Sequence, residues 1–228
     1  MGQIGIPPTA RHQCLIYKGS PAMHLPGLSA LMRQKLSDNY RCLYLNSADM
    51  VDALRPYLSA AGIDVPRELR KGSLLLSSDR GHLEDGHFNA DRMLGLLEDA
   101  VTKSRKDGYA GLWCTGDMTM EFGPDKDFSQ LLDYEWRLEE FLQSHPALSG
   151  ICQYRADSLP HEALRQGLLS HSSLYINETL SRLNPHYVER ASFTAESHNH
   201  AALDQTIREL CLVPDALILN ALPPGYLQ

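Results

Sequence analysis

The stretch Lys18 to Leu31, KGSPAMHLPGLSAL, lies between the apolar run CLIY and a helical pattern, where a phosphate-binding loop would sit. Such a loop needs glycines so that backbone N–H groups can cradle phosphate, a lysine for the β- and γ-phosphates, and a hydroxyl for magnesium. Gly27 and Ser29 suit two of those roles, but Leu28 fills the lysine slot, so the loop reads as degenerate and ATP hydrolysis is not expected. A second group forms where AGLWCTG runs into DMTMEF. Asp117 and Glu121 would emerge at the C-terminal edge of a buried strand, where open α/β sheets bind ligands. Carboxylates there can hold a metal, act as a base or bind polar groups of a ligand, and Asp117 can equally cap a turn. In DYEWRLEEF, Tyr134 and Glu135, with Arg137 and Glu139 nearby, read either as binding groups or as a salt-bridged helix surface. CQYR ends another strand, where alternation puts Cys152 and Tyr154 on one side and Gln153 and Arg155 on the other.

Ten histidines raise the question of a transition metal. His12 with Cys14, His82 with His87, and His198 with His200 are close in sequence, yet none forms HExxH or a two-histidine, two-cysteine pattern. His12, Cys14 and His171 are the most interesting because they flank strands, but the spacing assigns no metal site and no cofactor. The sequence has no GxSxG elbow and no GxGxxG after a strand, and no triad assembles locally, so a non-catalytic role is expected.

These groups must be positioned by six short apolar runs: CLIYK at Cys14, RCLYLN at Arg41, SLLLSS at Ser73, AGLWCTG at Ala110, LSGICQY at Leu148 and SLYIN at Ser173. Continuous apolar runs without strict alternation suit strands buried on both faces of a parallel sheet. Between them, helical spacing is expected over 28–38, 48–62, 89–108, 128–146 and 161–172, with a further helix at about 201–211. Strands alternating with helices of this length predict a doubly wound α/β fold, its mainly parallel sheet carrying helices on both faces. At 228 residues, 43% apolar and 21% charged, the chain suits one large domain. No run approaches the apolar length of a membrane span, and no secretory signal pattern opens the chain, so a cytoplasmic protein is expected. Five scattered cysteines read as reduced, mostly buried thiols. A net charge of −7 with only two short basic clusters argues against direct nucleic-acid binding.

Taken in order, HQCLIY, RCLYLN, DRMLGLLEDAVTKSRKDGYAGLWCTGDMTMEF, LLDYEWRLEEF, ICQYR, LLSHSSLYIN and NPHY resemble the MEDS family, the DcmR-type sensory domain of methanogens and methylotrophs. The likeness runs from His12 to Tyr187. It implies a relative of the RecA/KaiC-type ATPase core that lacks the nucleotide-hydrolysing residues and senses small molecules, including hydrocarbon derivatives. It also implies output through a kinase or transcription regulator as partner, and leaves room for homo-oligomers. His12, Tyr17, Tyr134, Glu135 and Tyr154 accompany the family motifs. With Asp117, Glu121, Gln153 and Arg155 they are expected to line a ligand site at the C-terminal edge of the sheet, bounded by the Lys18 to Ser29 loop. The chain departs from the family at His171-Ser172, where members often read HP, and at Met120, where an aromatic is common after GDMT. The expected division is a sensory domain over 12–190 and a C-terminal extension over 191–228. A residual nucleotide-binding protein and an interaction scaffold are the competing readings.

Overall fold

The computed structural model describes residues 11–122, 127–194 and 199–212. Strand β1 (His12–Tyr17) passes through a 3-10 turn (Pro21–Met23) into α1 (Leu25–Ser37), followed by β2 (Tyr40–Leu45), α2 (Ala48–Ala60), α3 (Val65–Lys71) and β3 (Leu74–Ser77). A hairpin of β4 (Leu83–Glu84) and β5 (His87–Phe88) leads into α4 (Ala90–Lys106), and β6 (Gly111–Asp117) runs directly into α5 (Met118–Glu121). Then come α6 (Leu131–Ser144), β7 (Leu148–Arg155), α7 (His161–Ser170), β8 (Ser173–Asn177), β9 (Leu180–Leu183) and α8 (His200–Cys211).

Seven strands form the main sheet in the order β3, β2, β6, β7, β1, β8, β9. Every pairing is parallel except the last, where β9 turns back antiparallel along β8. Each of the six apolar runs read from the sequence is one of the six parallel strands, and the α/β doubly wound expectation holds. Alternation divides the core in two. Cys14 and Ile16, Leu112, Cys152 and Tyr154 face α4, α6, α7 and α8, whereas Leu15 and Tyr17, Cys42, Tyr44, Trp113 and Ile151 face α1, α2 and α3.

Local chemistry starts several helices where they begin. Ser47, Asp64, Asn89 and Asn199 each accept a backbone N–H from the first turn of α2, α3, α4 and α8, satisfying donors the helix itself cannot. The β4–β5 hairpin closes on Asp85-Gly86, both at positive φ, the geometry of a two-residue turn that matches strand twist. Helix α8, in the segment expected as an extension, buries Leu203 and Ile207 in the same core as α6 and α7. Arg165 of α7 grips Asp204 of α8 with two hydrogen bonds of 2.7 and 2.9 Å. Residues 213–228 and His198 of the HNH run lie outside the described residues. Among the described residues, no helix is long and apolar enough to cross a membrane.

Candidate functional site

The residues proposed from sequence do not form one site; the sheet separates them. Tyr17, Asp117, Gln153 and Arg155 sit at the C-terminal ends of β1, β6 and β7, with Tyr17 opposite Arg155 and Asp117 opposite Gln153 in register. Burial pushes the Tyr17 hydroxyl up out of its usual range, and the Asp117 carboxylate adds to the effect while Arg155 opposes it. Gln153 donates to the Thr115 hydroxyl at 2.8 Å, and the Asp117 carboxylate accepts the Thr119 N–H at 2.9 Å, so Asp117 does cap a turn. Glu121 ends α5, and its side chain lies outside the described residues.

On this side, the degenerate loop is closed. Leu28 and Ser29 are fully buried within α1, with Leu28 in the core. A Cβ on Gly27 would fall 2.9 Å from the Tyr175 hydroxyl and 3.2 Å from a Glu178 carboxylate oxygen. A carboxylate therefore occupies the ground beside the first turn of α1, where a phosphate would need positive partners.

The other proposed residues, His12, Glu135 and Tyr154, come together on the opposite face and bring Cys152, His171 and Glu139 with them. His12 opens β1, Cys152 and Tyr154 are alternate residues of β7, Glu135 and Glu139 are one turn apart on α6, and His171 follows the last turn of α7. His12 Nδ1 lies 2.9 Å from Glu139 Oε2, and its Nε2 lies 3.2 Å from Glu135 Oε2 and 3.4 Å from Cys152 Sγ. Tyr154 donates its hydroxyl to Glu135 Oε1 at 2.5 Å, and the Cys152 thiol approaches Glu135 Oε2 at 3.6 Å. The His171 ring stacks at a tilt on His12, centroids 4.0 Å apart, with its Nδ1 2.8 Å from the Gly167 carbonyl. Tyr134, next to Glu135, instead joins the rings of Phe88 and Phe122 in the aromatic core.

Burial and charge set the protonation of this group. Burial alone would lower the His12 pKa, but hydrogen bonds and charge from Glu135 and Glu139 outweigh it and raise the ring to about 9. Burial and the neighbouring His12 charge hold His171 down at about 4, so it is neutral near pH 7. Burial pushes the Glu135 carboxyl up, but the histidine rings and the Tyr154 hydroxyl more than offset it and leave it ionised. Among the described residues, one ligand atom each from His12, Glu135, Cys152 and His171 lies within 4.8 Å of the others, close enough to share one cation.

Beside this cluster the core is imperfectly filled. A cavity of about 40 Å³ lies between the sheet and helices α4 and α6, with His12 and Cys152 at one end and Leu43, Met93, Leu97 and Leu138 along its apolar walls. Leu43, Leu45, Met93 and Leu97 also line a cleft of about 160 Å³ that runs out past Ser77, Asp79 and His82. The two spaces share these four residues as a neck.

Of the histidines and cysteine singled out by their places beside strands, His12 and His171 meet, but Cys152 takes the position considered for Cys14, which is buried on the same face outside the cluster. The alternation of CQYR already put Cys152 beside Tyr154. What sequence could not supply is that the α6 turn places Glu135 and Glu139 against the start of β1, more than a hundred residues away.

Residues 11–172 match the family described as MEDS, MEthanogen/methylotroph, DcmR Sensory domain. A search of curated proteins gives no match. The matched region contains both the strand-end residues Asp117 and Arg155 and the whole buried cluster from His12 to His171, and the chain belongs to the MEDS family of sensory domains.

Proposed function

We infer that this chain is a non-catalytic sensory or regulatory module that binds a small molecule with an apolar body in the cavity under α4 and α6 and reports its presence to a signalling protein. The observation that carries this reading is the cavity itself. A packing defect lined by Leu43, Met93, Leu97 and Leu138 and ended by His12 and Cys152 offers an apolar slot with one polar end, the pattern of a small-molecule site. A slot of about 40 Å³ admits only the smallest hydrocarbon derivatives, of about two or three heavy atoms with one of them polar. Membership of a family of sensory domains supports the same reading. On the opposite side of the sheet, buried Leu28 and the Glu178 carboxylate beside Gly27 disfavour a bound phosphate, so the nucleotide-binding alternative gains no support.

Methyl NMR of the full chain, titrated with short alcohols, aldehydes and halogenated alkanes, tests the assignment. Shifts are expected at Met93, Leu97 and Leu138, and Leu43→Phe, which plugs the neck, should abolish them. Shifts confined to the edge near Tyr17 and Asp117, or unchanged in Leu43→Phe, would move the ligand to the other face and overturn the assignment to this cavity.

A further inference from the structure

Four buried side chains from four separate elements direct their metal-ligating atoms to one point. His12 Nε2, Glu135 Oε2, Cys152 Sγ and His171 Nε2 bring two nitrogens, one carboxylate oxygen and one sulfur. His12, Glu135 and His171 are all at least 98% buried. The tautomers are fixed from outside. Glu139 and the Gly167 carbonyl can only accept, so the Nδ1 atoms of His12 and His171 must both be protonated, which turns both Nε2 atoms inward. Glu135 is held in the same way, its Oε1 accepting from Tyr154 and its Oε2 turned towards the centre.

One atom is left without a partner. His171 Nε2 is fully buried, makes no hydrogen bond, and faces Glu135 Oε2 at 3.7 Å. With its proton on Nδ1, this nitrogen presents a lone pair to a carboxylate oxygen, so two acceptors face each other in a dry site. A buried polar atom left in this way is unfavourable, and a cation between the two would satisfy both.

Distances decide between a coincidental polar group and a coordination shell. Bonds of about 2.0–2.3 Å at tetrahedral angles place ligand atoms about 3.3–3.6 Å apart. Four of the six separations, 3.2, 3.4, 3.6 and 3.7 Å, bracket that range, and the other two, from His171 to His12 and to Cys152, lie within 4.8 Å. Ionised Glu135 and a Cys152 thiolate neutralise a divalent ion among the four ligands, and the Glu139 carboxylate on His12 leaves one negative charge at the edge of the site. Binding releases the Cys152 thiol proton and the His12 Nε2 proton to solvent. Glu139 on His12, Tyr154 on Glu135 and the Gly167 carbonyl on His171 are the outer partners that such sites use to orient their ligands. A mixed nitrogen, sulfur and oxygen set selects a borderline-soft ion and disfavours magnesium or calcium.

We propose that His12, Glu135, Cys152 and His171 form a tetrahedral site for a divalent transition metal of the zinc class, closed by four protein ligands and touching the apolar cavity at His12 and Cys152. The site stands on these four side chains alone and does not depend on the sensory reading; where both hold, a ligand in the cavity lies against the metal's first ring of ligands.

The test is production of the full chain in cobalt-supplemented minimal medium, purified under reducing conditions and checked for fold by circular dichroism. One cobalt per chain is expected, with the visible absorption of tetrahedral Co²⁺ and a near-ultraviolet thiolate-to-metal band that added Zn²⁺ bleaches. Cys152→Ser should lose the thiolate band, while Cys14→Ser, a buried thiol on the same face, should keep it. Glu139→Gln leaves all four ligands in place and should weaken metal affinity about 10–100-fold, which provides a readout if Cys152→Ser does not fold. A folded wild-type chain with negligible metal after both cobalt and zinc loading would overturn the proposal. So would a thiolate band that survives Cys152→Ser and disappears in Cys14→Ser, or an affinity unmoved by Glu139→Gln.

Discussion

Removing one hydroxyl tests the electrostatic design of the cluster without opening a cavity. Tyr154 is fully buried, and its ring lies so close to α7 that a Cβ on Gly167 would fall 2.9 Å from it. Tyr154→Phe keeps that ring and deletes only the hydrogen bond to Glu135 Oε1. The acceptor is an ionised carboxylate with no exposed surface, so its oxygen has no water to replace the lost donor. A hydrogen bond to a charged group in that setting is worth about 1.5–3 kcal/mol. For a chain of this size the melting temperature should fall by about 2–4 °C per kcal/mol, hence about 3–12 °C. Urea unfolding of the chelator-treated protein, followed by circular dichroism, should show a lower midpoint at an unchanged m-value. Combination with Glu135→Gln completes a cycle, and a coupling energy of about 1 kcal/mol or more is expected. A loss below about 0.5 kcal/mol with additive single effects would refute the reasoning, because Glu135 would then hold its charge by another route.

Two further outcomes follow from the packing and the titrating groups. Gly150 lies opposite Cys114 in the β6–β7 ladder, and a Cβ there would fall 2.4 Å from the Cys114 carbonyl oxygen; Gly150→Ala should cost more than about 3 kcal/mol, and a melting temperature within about 2 °C of wild type would contradict it. Burial holds His24 down at about 4, so the unfolded chain takes up its proton first and this contribution to stability, complete above about pH 6.5, is lost as pH falls towards 4. Its ceiling is about 3 kcal/mol, and its partial exposure reduces it to about 1–2 kcal/mol, so stability measured against pH should fall less steeply below 6.5 in His24→Gln; an unchanged acid limb would be inconsistent with a buried neutral ring.

The parallel strands were readable because each is buried on both faces and so carries an unbroken apolar run. β9 was not: its four residues are all exposed, and LSRL carries no burial signal. Helix α3, VPRELRK, was not read as a helix because one of the short basic clusters makes up most of it, and it forms because Asp64 caps it and Gly72 ends it at φ +73°. Helix α1 begins at Leu25, three residues before the apolar spacing starts, because Pro26 is well suited to a first turn whose N–H groups need no partner. At the site, residue types were legible and their assembly was not. Asp117 is where its strand end predicted it, but His12 and Glu135 meet on the opposite face through a contact between β1 and α6 that no local spacing encodes.

That division of the sheet bears on how the domain could signal. The edge facing α1, where a phosphate-binding relative would do its chemistry, is closed by Leu28 and by Glu178 beside Gly27. The polar chemistry has its focus on the other face, where β1, α6, β7 and the end of α7 each contribute one side chain to a single point. Such a point is sensitive to spacing, because the hydrogen bonds and polar contacts there join side chains of α6 to β7, to β1 and to the ring at the end of α7. α7 carries α8 through the Arg165–Asp204 pair, and the Asn184 amide after β9 donates to the carbonyls of Leu168 and His171. A ligand in the cavity that prefers one spacing of α6 and α7 would therefore bias α8 and the β8–β9 hairpin together, and only by as much as its affinity differs between the two spacings.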